Sequence, residues 1–167
     1  DCERLEIVNE SELERIEQYN RKNKKEDGIL VSQKILLTWL IESEDIFRQI
    51  EKYITPEDFS EGLFRQVAEL LYEQYEKHEV NPAQIMNHFT DEEEHRQVAG
   101  LFHTKIKELT TVKEQEKALQ ETILRVKDHS IEEATKNLDP TDIQGLQRLM
   151  NEKRKMQDLR TLHISIN

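Results

Sequence analysis

Residues 29–89 constrain the fold most. The stretch ILVSQKILLTWLIESEDIFRQIEKYITPEDFSEGLFRQVAELLYEQYEKHEVNPAQIMNHF places apolar side chains three and four apart and interrupts them at helix-starting residues. From Ser32, the positions Ile35, Leu36, Trp39 and Leu40 repeat at helical spacing. Ser43 then supplies a cap for a short helix carrying Ile46, Phe47 and Ile50. Thr55-Pro56-Glu57-Asp58 predicts a turn or a single helical turn, because proline is tolerated in a first turn whose N–H needs no partner. Phe59 is expected to point back into the bundle.

Ser60 is expected to cap a longer helix with Leu63, Phe64, Val67, Leu70, Leu71, Tyr72 and Tyr75 on a wide apolar face, ending near Lys77 or His78. Asn81-Pro82 predicts an N-cap with proline at the first helical position, opening a helix with Ile85, Met86 and Phe89. Thr90 or Asp91 starts the next, with Val98, Leu101, Phe102, Ile106 and Leu109. With 35% charged residues, 4 Gly and 3 Pro, the composition suits exposed helices rather than a sheet. The predicted fold is all-α: a compact helical bundle followed by a long helical hairpin.

Upstream, Ser11-Glu12-Leu13-Glu14 has the pattern of a capping box opening a weakly apolar helix with Leu13, Ile16 and Tyr19. The run Arg21 to Gly28 has no apolar residue and predicts a linker ending in a glycine turn. Residues 1–28 are therefore expected to be a mobile linker or the end of a preceding domain, 29–110 the bundle, and 111–167 the hairpin.

From Val112 to Asn137 neither proline nor glycine interrupts good helix formers, which gives a rod of roughly 40 Å at about 1.5 Å per residue. Its stripe is Ala118, Leu119, Ile123 and Val126. Asp139-Pro140-Thr141-Asp142 predicts a reversal into a last helix, in which Leu146, Leu149, Met150, Met156, Leu159 and Leu162 recur at three- and four-residue intervals. Two such narrow stripes cannot bury both helices, so some apolar surface must find another partner.

Charge narrows the partners. The net charge is -11, and residues 112–167 hold 10 Lys+Arg and 10 Asp+Glu, which leaves 14 against 25 before them. An acidic surface repels a phosphate backbone, so direct nucleic-acid binding is disfavoured. Lys153, Arg154 and Lys155, with Arg148 and Arg160, make the last helix locally basic, either as a solvated face or as a surface for an acidic partner. Cys2 is the only cysteine, so there is no internal disulfide and a cytoplasmic setting fits. No stretch approaches the roughly 18 apolar residues of a membrane span.

Catalytic and metal motifs are missing: no P-loop, GxSxG or HExxH occurs. His95 and His103 stand roughly 12 Å apart along a helix, too far to share one ion; with His88 they are ordinary histidines. Asp91 to Glu94 suit a helix N-terminus, where acids complement the macrodipole. Trp39, among Ile35, Leu36 and Leu40, is expected in the core. Met150 and Met156 are adaptable apolar side chains suited to a binding surface.

Taken together, ILLTWLIESEDIFRQI, ITPEDFSEGLFRQVAELLYEQYEKHEVNPAQIMNHF, TDIQGLQRLMNEKRKMQDL and LHISIN closely resemble the C-terminal helicase-binding domain of bacterial DNA primase, most like the Gram-positive forms. The resemblance covers residues 30–167. It implies a helical bundle followed by a hairpin, with the hairpin supplying most of the affinity for the N-terminal collar of the replicative DNA helicase and the bundle modulating activity. It also implies that the zinc- and magnesium-dependent parts of a primase lie elsewhere, so that this fragment is not an enzyme and holds no cofactor.

On that resemblance the helicase-binding surface is the second hairpin helix: Leu146, Leu149, Met150, Lys153, Arg154, Met156, Leu159, Arg160 and Leu162. Leu149→Asp or Met156→Asp is expected to weaken binding with helicity intact. A secondary partner is the acidic tail of single-stranded DNA-binding protein. The bundle pattern is also similar to the amino-terminal self-assembly domain of the replicative helicase. Such a helicase would continue through a linker into an ATPase, whereas here the hairpin is followed by LHISIN.

Overall fold

The computed structural model describes residues 10–103 and 111–166. Among them are seven α-helices, one 3-10 turn and no strands. The order is α1 (Glu10–Glu42), α2 (Glu44–Ile50), the 3-10 turn (Pro56–Asp58), α3 (Leu63–Glu76), α4 (Pro82–His88), α5 (Glu92–His103), α6 (Val112–Lys136) and α7 (Ile143–Thr161). Cys2, the side chain of His103, and Ile106 and Leu109 lie outside what is described.

Most helix starts follow from local chemistry. Ser43 Oγ accepts from the Ile46 N–H at 3.2 Å, Asn81 Oδ1 from Gln84 at 3.1 Å, Asp91 Oδ2 from Glu94 at 3.1 Å, Thr111 Oγ1 from Glu114 at 3.3 Å and Asp142 Oδ1 from Gly145 at 3.0 Å. Each satisfies an N–H that the first helical turn cannot pair itself. At the end of α3 the Glu79 N–H donates to Gln74 O and the His78 N–H to Tyr75 O. This Schellman closure puts His78 at φ 56°, a conformation usually left to glycine.

Two expected starts are wrong. Helix α1 is already formed at Glu10, so Ser11 lies inside it, and it continues through Arg21 to Gly28 without a turn. The run lacks apolar residues because its described side chains are solvent-exposed. Lys, Arg and Glu are good helix formers, and one interior glycine costs only about 1 kcal/mol. An Arg21–Glu17 ion pair at 3.5 Å spans one turn of the same segment.

Ser60 does not cap α3 either. Its N–H donates to Gln33 Oε1 at 3.0 Å and its hydroxyl accepts from Gln33 Nε2 at 2.8 Å, so it ties the loop to α1. The N-cap is Gly62, at φ 127° and ψ -145°, a region only glycine enters without strain.

The core is one apolar cluster. Leu36, Leu37 and Leu40 of α1 pack with Ile46, Ile50, Ile54, Phe59, Val67, Leu71, Tyr75, Ile85 and Val98, and with Leu119, Ile123 and Val126 of α6. The α1 face is therefore rotated from the expected one: Ile35 is exposed and Trp39 only half-buried, while Leu37 is inside with Ser32, Gln33 and Thr38. Ala118 is exposed; Thr122 and Lys127 complete the buried α6 face in its place.

The Tyr75 hydroxyl donates to Leu40 O at 2.5 Å, and its pKa is pushed up to about 12 by burial, with Glu44 adding to the rise and Arg48 opposing it. Tyr72 donates to Ile54 O at 2.7 Å, and burial, with Asp58 and Glu51 nearby, holds it protonated well beyond the ordinary tyrosine range.

Residues 137–142 separate α6 from α7 and reverse the chain into a hairpin. Gln120 meets the carbonyls of Leu159, Arg160 and Leu162 and Lys127 meets Glu152, so α6 and α7 run antiparallel. Its first helix is not an arm held away from the bundle, because α6 packs along α1. Much of the apolar surface expected to seek an outside partner is covered by the protein itself.

Candidate functional site

Helix α7 carries the candidate site, and its two faces differ. Gly145, Leu149, Glu152, Met156 and Leu159, spaced four and three apart, face inward. Leu149 and Met156 are almost fully buried and Leu159 is 1% exposed. Gly145 sits where the helix start meets the end of α6. A Cβ there would lie 2.6 Å from the capping Asp142 Oδ2 and 2.8 Å from Leu138 Cδ1.

Three of the residues expected on the docking surface are thus seam residues. Leu149 and Met156 are buried on the inward face of α7, Leu159 lies in the apolar cluster, and Leu162 is half-buried against that cluster. The reason is the packing of α6 on α1, which leaves α6 a broad face for α7 to cover. Leu149→Asp or Met156→Asp would place a carboxylate inside the protein and damage folding rather than report on a surface.

The other five expected residues are exposed. Leu146, Met150, Lys153 and Arg160, together with Ile143 and Gln157, form an outward stripe at 143, 146, 150, 153, 157 and 160, a 3-4-3-4-3 spacing, with Arg154 beside it. Ile143 is 69% exposed, Met150 65% and Leu146 39%. The stripe is apolar toward the start of α7 and basic toward its end. Ile143 belongs to it and was missed, because a residue next to the N-cap reads as part of the turn.

Lys155 and Arg148 leave the basic patch. Lys155 is half-buried and bonds Glu152 Oε1 at 3.1 Å. Arg148 lines a cleft of about 660 Å³ between the hairpin and residues 57–65, together with Arg65, His129 and the acids Glu57, Glu61 and Glu133.

Beneath that cleft lies a polar node with no clear sequence signal. Lys127, fully buried, places Nζ 3.1 and 3.2 Å from the Asp58 carboxylate oxygens and also bonds Glu152. Asp58 accepts further from Ser130 Oγ at 2.7 Å and from the Thr55 N–H at 2.8 Å. Burial acts to raise the Glu152 pKa, but the hydrogen bonds and charges of Lys127 and Lys155 outweigh it and hold the carboxyl below its ordinary value. The node joins the 3-10 turn, α6 and α7, and so fixes which face of α7 is turned outward.

Among the described residues no group of three or more His, Cys, Asp or Glu could hold a metal ion, and no helix is long and apolar enough to cross a membrane. Neither a protein-family profile, nor a curated protein, nor a solved structure matches this chain.

Proposed function

We propose that this chain is a docking module that binds the N-terminal collar of the replicative DNA helicase, as does the primase domain it resembles. It acts in the cytoplasm at the replication fork and brings primer synthesis there. In this reading it is not itself an enzyme, takes no cofactor and does not grip nucleic acid directly; the acidic tail of single-stranded DNA-binding protein remains a secondary partner. The observation that carries the proposal is the exposed stripe of α7, where three large apolar side chains in register continue into Lys153, Arg154 and Arg160.

An amphipathic helix with this spacing fits against partner helices, apolar side chains entering a groove and basic ones meeting acids at its rim. Burying an exposed Met150 or Leu146 is worth about 1.5–3 kcal/mol at the upper end, so each anchor accounts for one or two orders of magnitude in affinity. Several equivalent collars on a ring would further raise a modest single-site affinity.

The test is a titration of the chain with the cognate helicase N-terminal domain. Leu146→Asp and Met150→Asp should each lower affinity at least tenfold while far-UV circular dichroism and melting stay at wild-type values, since neither side chain is in the seam. Wild-type affinity in both would remove the α7 stripe from the interface.

A further inference from the structure

Residues 162–166, Leu-His-Ile-Ser-Ile, are not helical, and they are held as a bound peptide is held. Gln49 of α2 makes a two-point pairing with the backbone of Ser165: the Ser165 N–H donates to Gln49 Oε1 at 2.9 Å and Gln49 Nε2 donates to Ser165 O at 2.9 Å. Asp45, one turn earlier, accepts from the same Nε2 at 3.1 Å and so fixes the amide in the orientation this pairing needs.

On the other side Gln120 of α6 directs its Nε2 toward the carbonyls of Leu159, Arg160 and Leu162 at 3.4, 3.2 and 3.3 Å. Side chains alternate as on an extended strand. Ile164 is 2% exposed within the apolar cluster, Leu162 and Ile166 pack against it, and His163 points outward, 82% exposed, with Nε2 3.4 Å from Glu116 Oε2. Main-chain pairing with pockets for alternate side chains is how folded domains recognise extended peptides.

We propose that the groove between α2 and α6 is a peptide-binding site whose ligand is an extended segment with aliphatic side chains two residues apart, occupied in this structure by the chain's own residues 162–166. Gln49, oriented by Asp45, reads the backbone of the segment; the apolar pocket reads Ile164. Gln120 grips the turn at Leu162, and from His163 onward the segment is held by the Gln49 amide and by the aliphatic contacts of Ile164 and Ile166, so this end is separable from the helices. Its docking fixes the end of α7, the part of the helix that carries Arg160.

The test uses the full chain with Ile164→Asp, which should release the segment, and a fluorescein-labelled synthetic peptide, LHISI, followed by fluorescence anisotropy. The wild-type chain, its groove filled, should bind the peptide at least tenfold more weakly than the Ile164→Asp variant. Adding Gln49→Leu to that variant should remove at least tenfold of the regained affinity. A variant that melts cooperatively but does not take up the peptide would overturn the proposal. If Ile164→Asp does not fold, Ile164→Ala replaces it, since it empties the pocket without burying a charge. Failure of both variants to fold would make 162–166 an inseparable part of the core and overturn the proposal equally.

Discussion

Removing the charge of Lys127 is the most informative perturbation of this fold. In Lys127→Met the side-chain volume is nearly kept, so the cost comes from electrostatics. Glu152 is a third exposed and can turn toward water, but Asp58 is 4% exposed and cannot. Asp58 would keep the Ser130 hydroxyl and the Thr55 N–H and lose both contacts to Nζ. A buried charge stripped of its partner costs about 3–5 kcal/mol, against roughly 5–15 kcal/mol for the whole stability of a domain. At about 2–4 °C per kcal/mol for a chain of this size, Tm should fall by roughly 6–20 °C.

The double variant Lys127→Met/Asp58→Asn removes both charges together. The carboxamide that replaces the Asp58 carboxylate can still accept from the Thr55 N–H through its oxygen and donate to the Ser130 hydroxyl through its nitrogen, so most of the loss should be recovered. Urea titrations of wild type, both single variants and the double variant, followed by far-UV circular dichroism, give the coupling energy directly. We expect at least about 2 kcal/mol of coupling, consistent with a buried pair. A Lys127→Met variant within about 1 kcal/mol of wild type, or a double variant no better than the single, would refute the account of the node as a charge-compensated link.

Two further outcomes follow from the same geometry. The Glu152 carboxyl is held below its ordinary value of 4.5, so its contribution is fully present above that pH and is lost as pH falls through the lower folded value; wild-type stability should drop below about pH 4.5 by more than that of Glu152→Gln in acid titrations followed by circular dichroism. Reversing Lys153, Arg154 and Arg160 to Glu should flatten or invert the salt dependence of helicase-collar binding, read from titrations at several ionic strengths; an unchanged slope would make these residues a solvated face.

How much was legible depended on whether the signal was local. Ser43, Pro56, Asn81-Pro82, Thr111 and Asp142 announce helix starts because a cap needs only its own next few residues. Ser60 misled because it has the composition of a cap but is engaged by Gln33, 27 residues away. Gly28 misled for the opposite reason: a long exposed helix needs no apolar stripe, so its absence does not mark a linker. Lys127 sits on α6 among solvated lysines and glutamates, and no local pattern marks it as buried. Its burial follows from Asp58, which reaches it only once the 3-10 turn has folded against α6.

The same dependence explains why only some of the α7 residues expected at the surface are exposed. Periodicity on α7 marks two apolar stripes without assigning either to the inside. Leu149, Met156 and Leu159 repeat at helical spacing, and so do Ile143, Leu146 and Met150. What decides between them is charge: Glu152 lies in line with the first set and is drawn to Lys127, while the second set continues into Lys153 and Arg160. Rotating α7 by about 100°, one residue's turn, would bring Ile143, Leu146 and Met150 inward but would also turn Lys153 and Arg160 into the seam, where unpaired charges are costly. The buried node therefore acts with the basic end of the outward stripe: one draws Glu152 inward and the other keeps Lys153 and Arg160 in water, and both favour the same rotation. In Glu152→Leu the helix should keep its length and its outward face, since Leu149, Met156 and Leu159 still fill the seam, but lose the links to Lys127 and Lys155, read as a lower Tm by thermal circular dichroism.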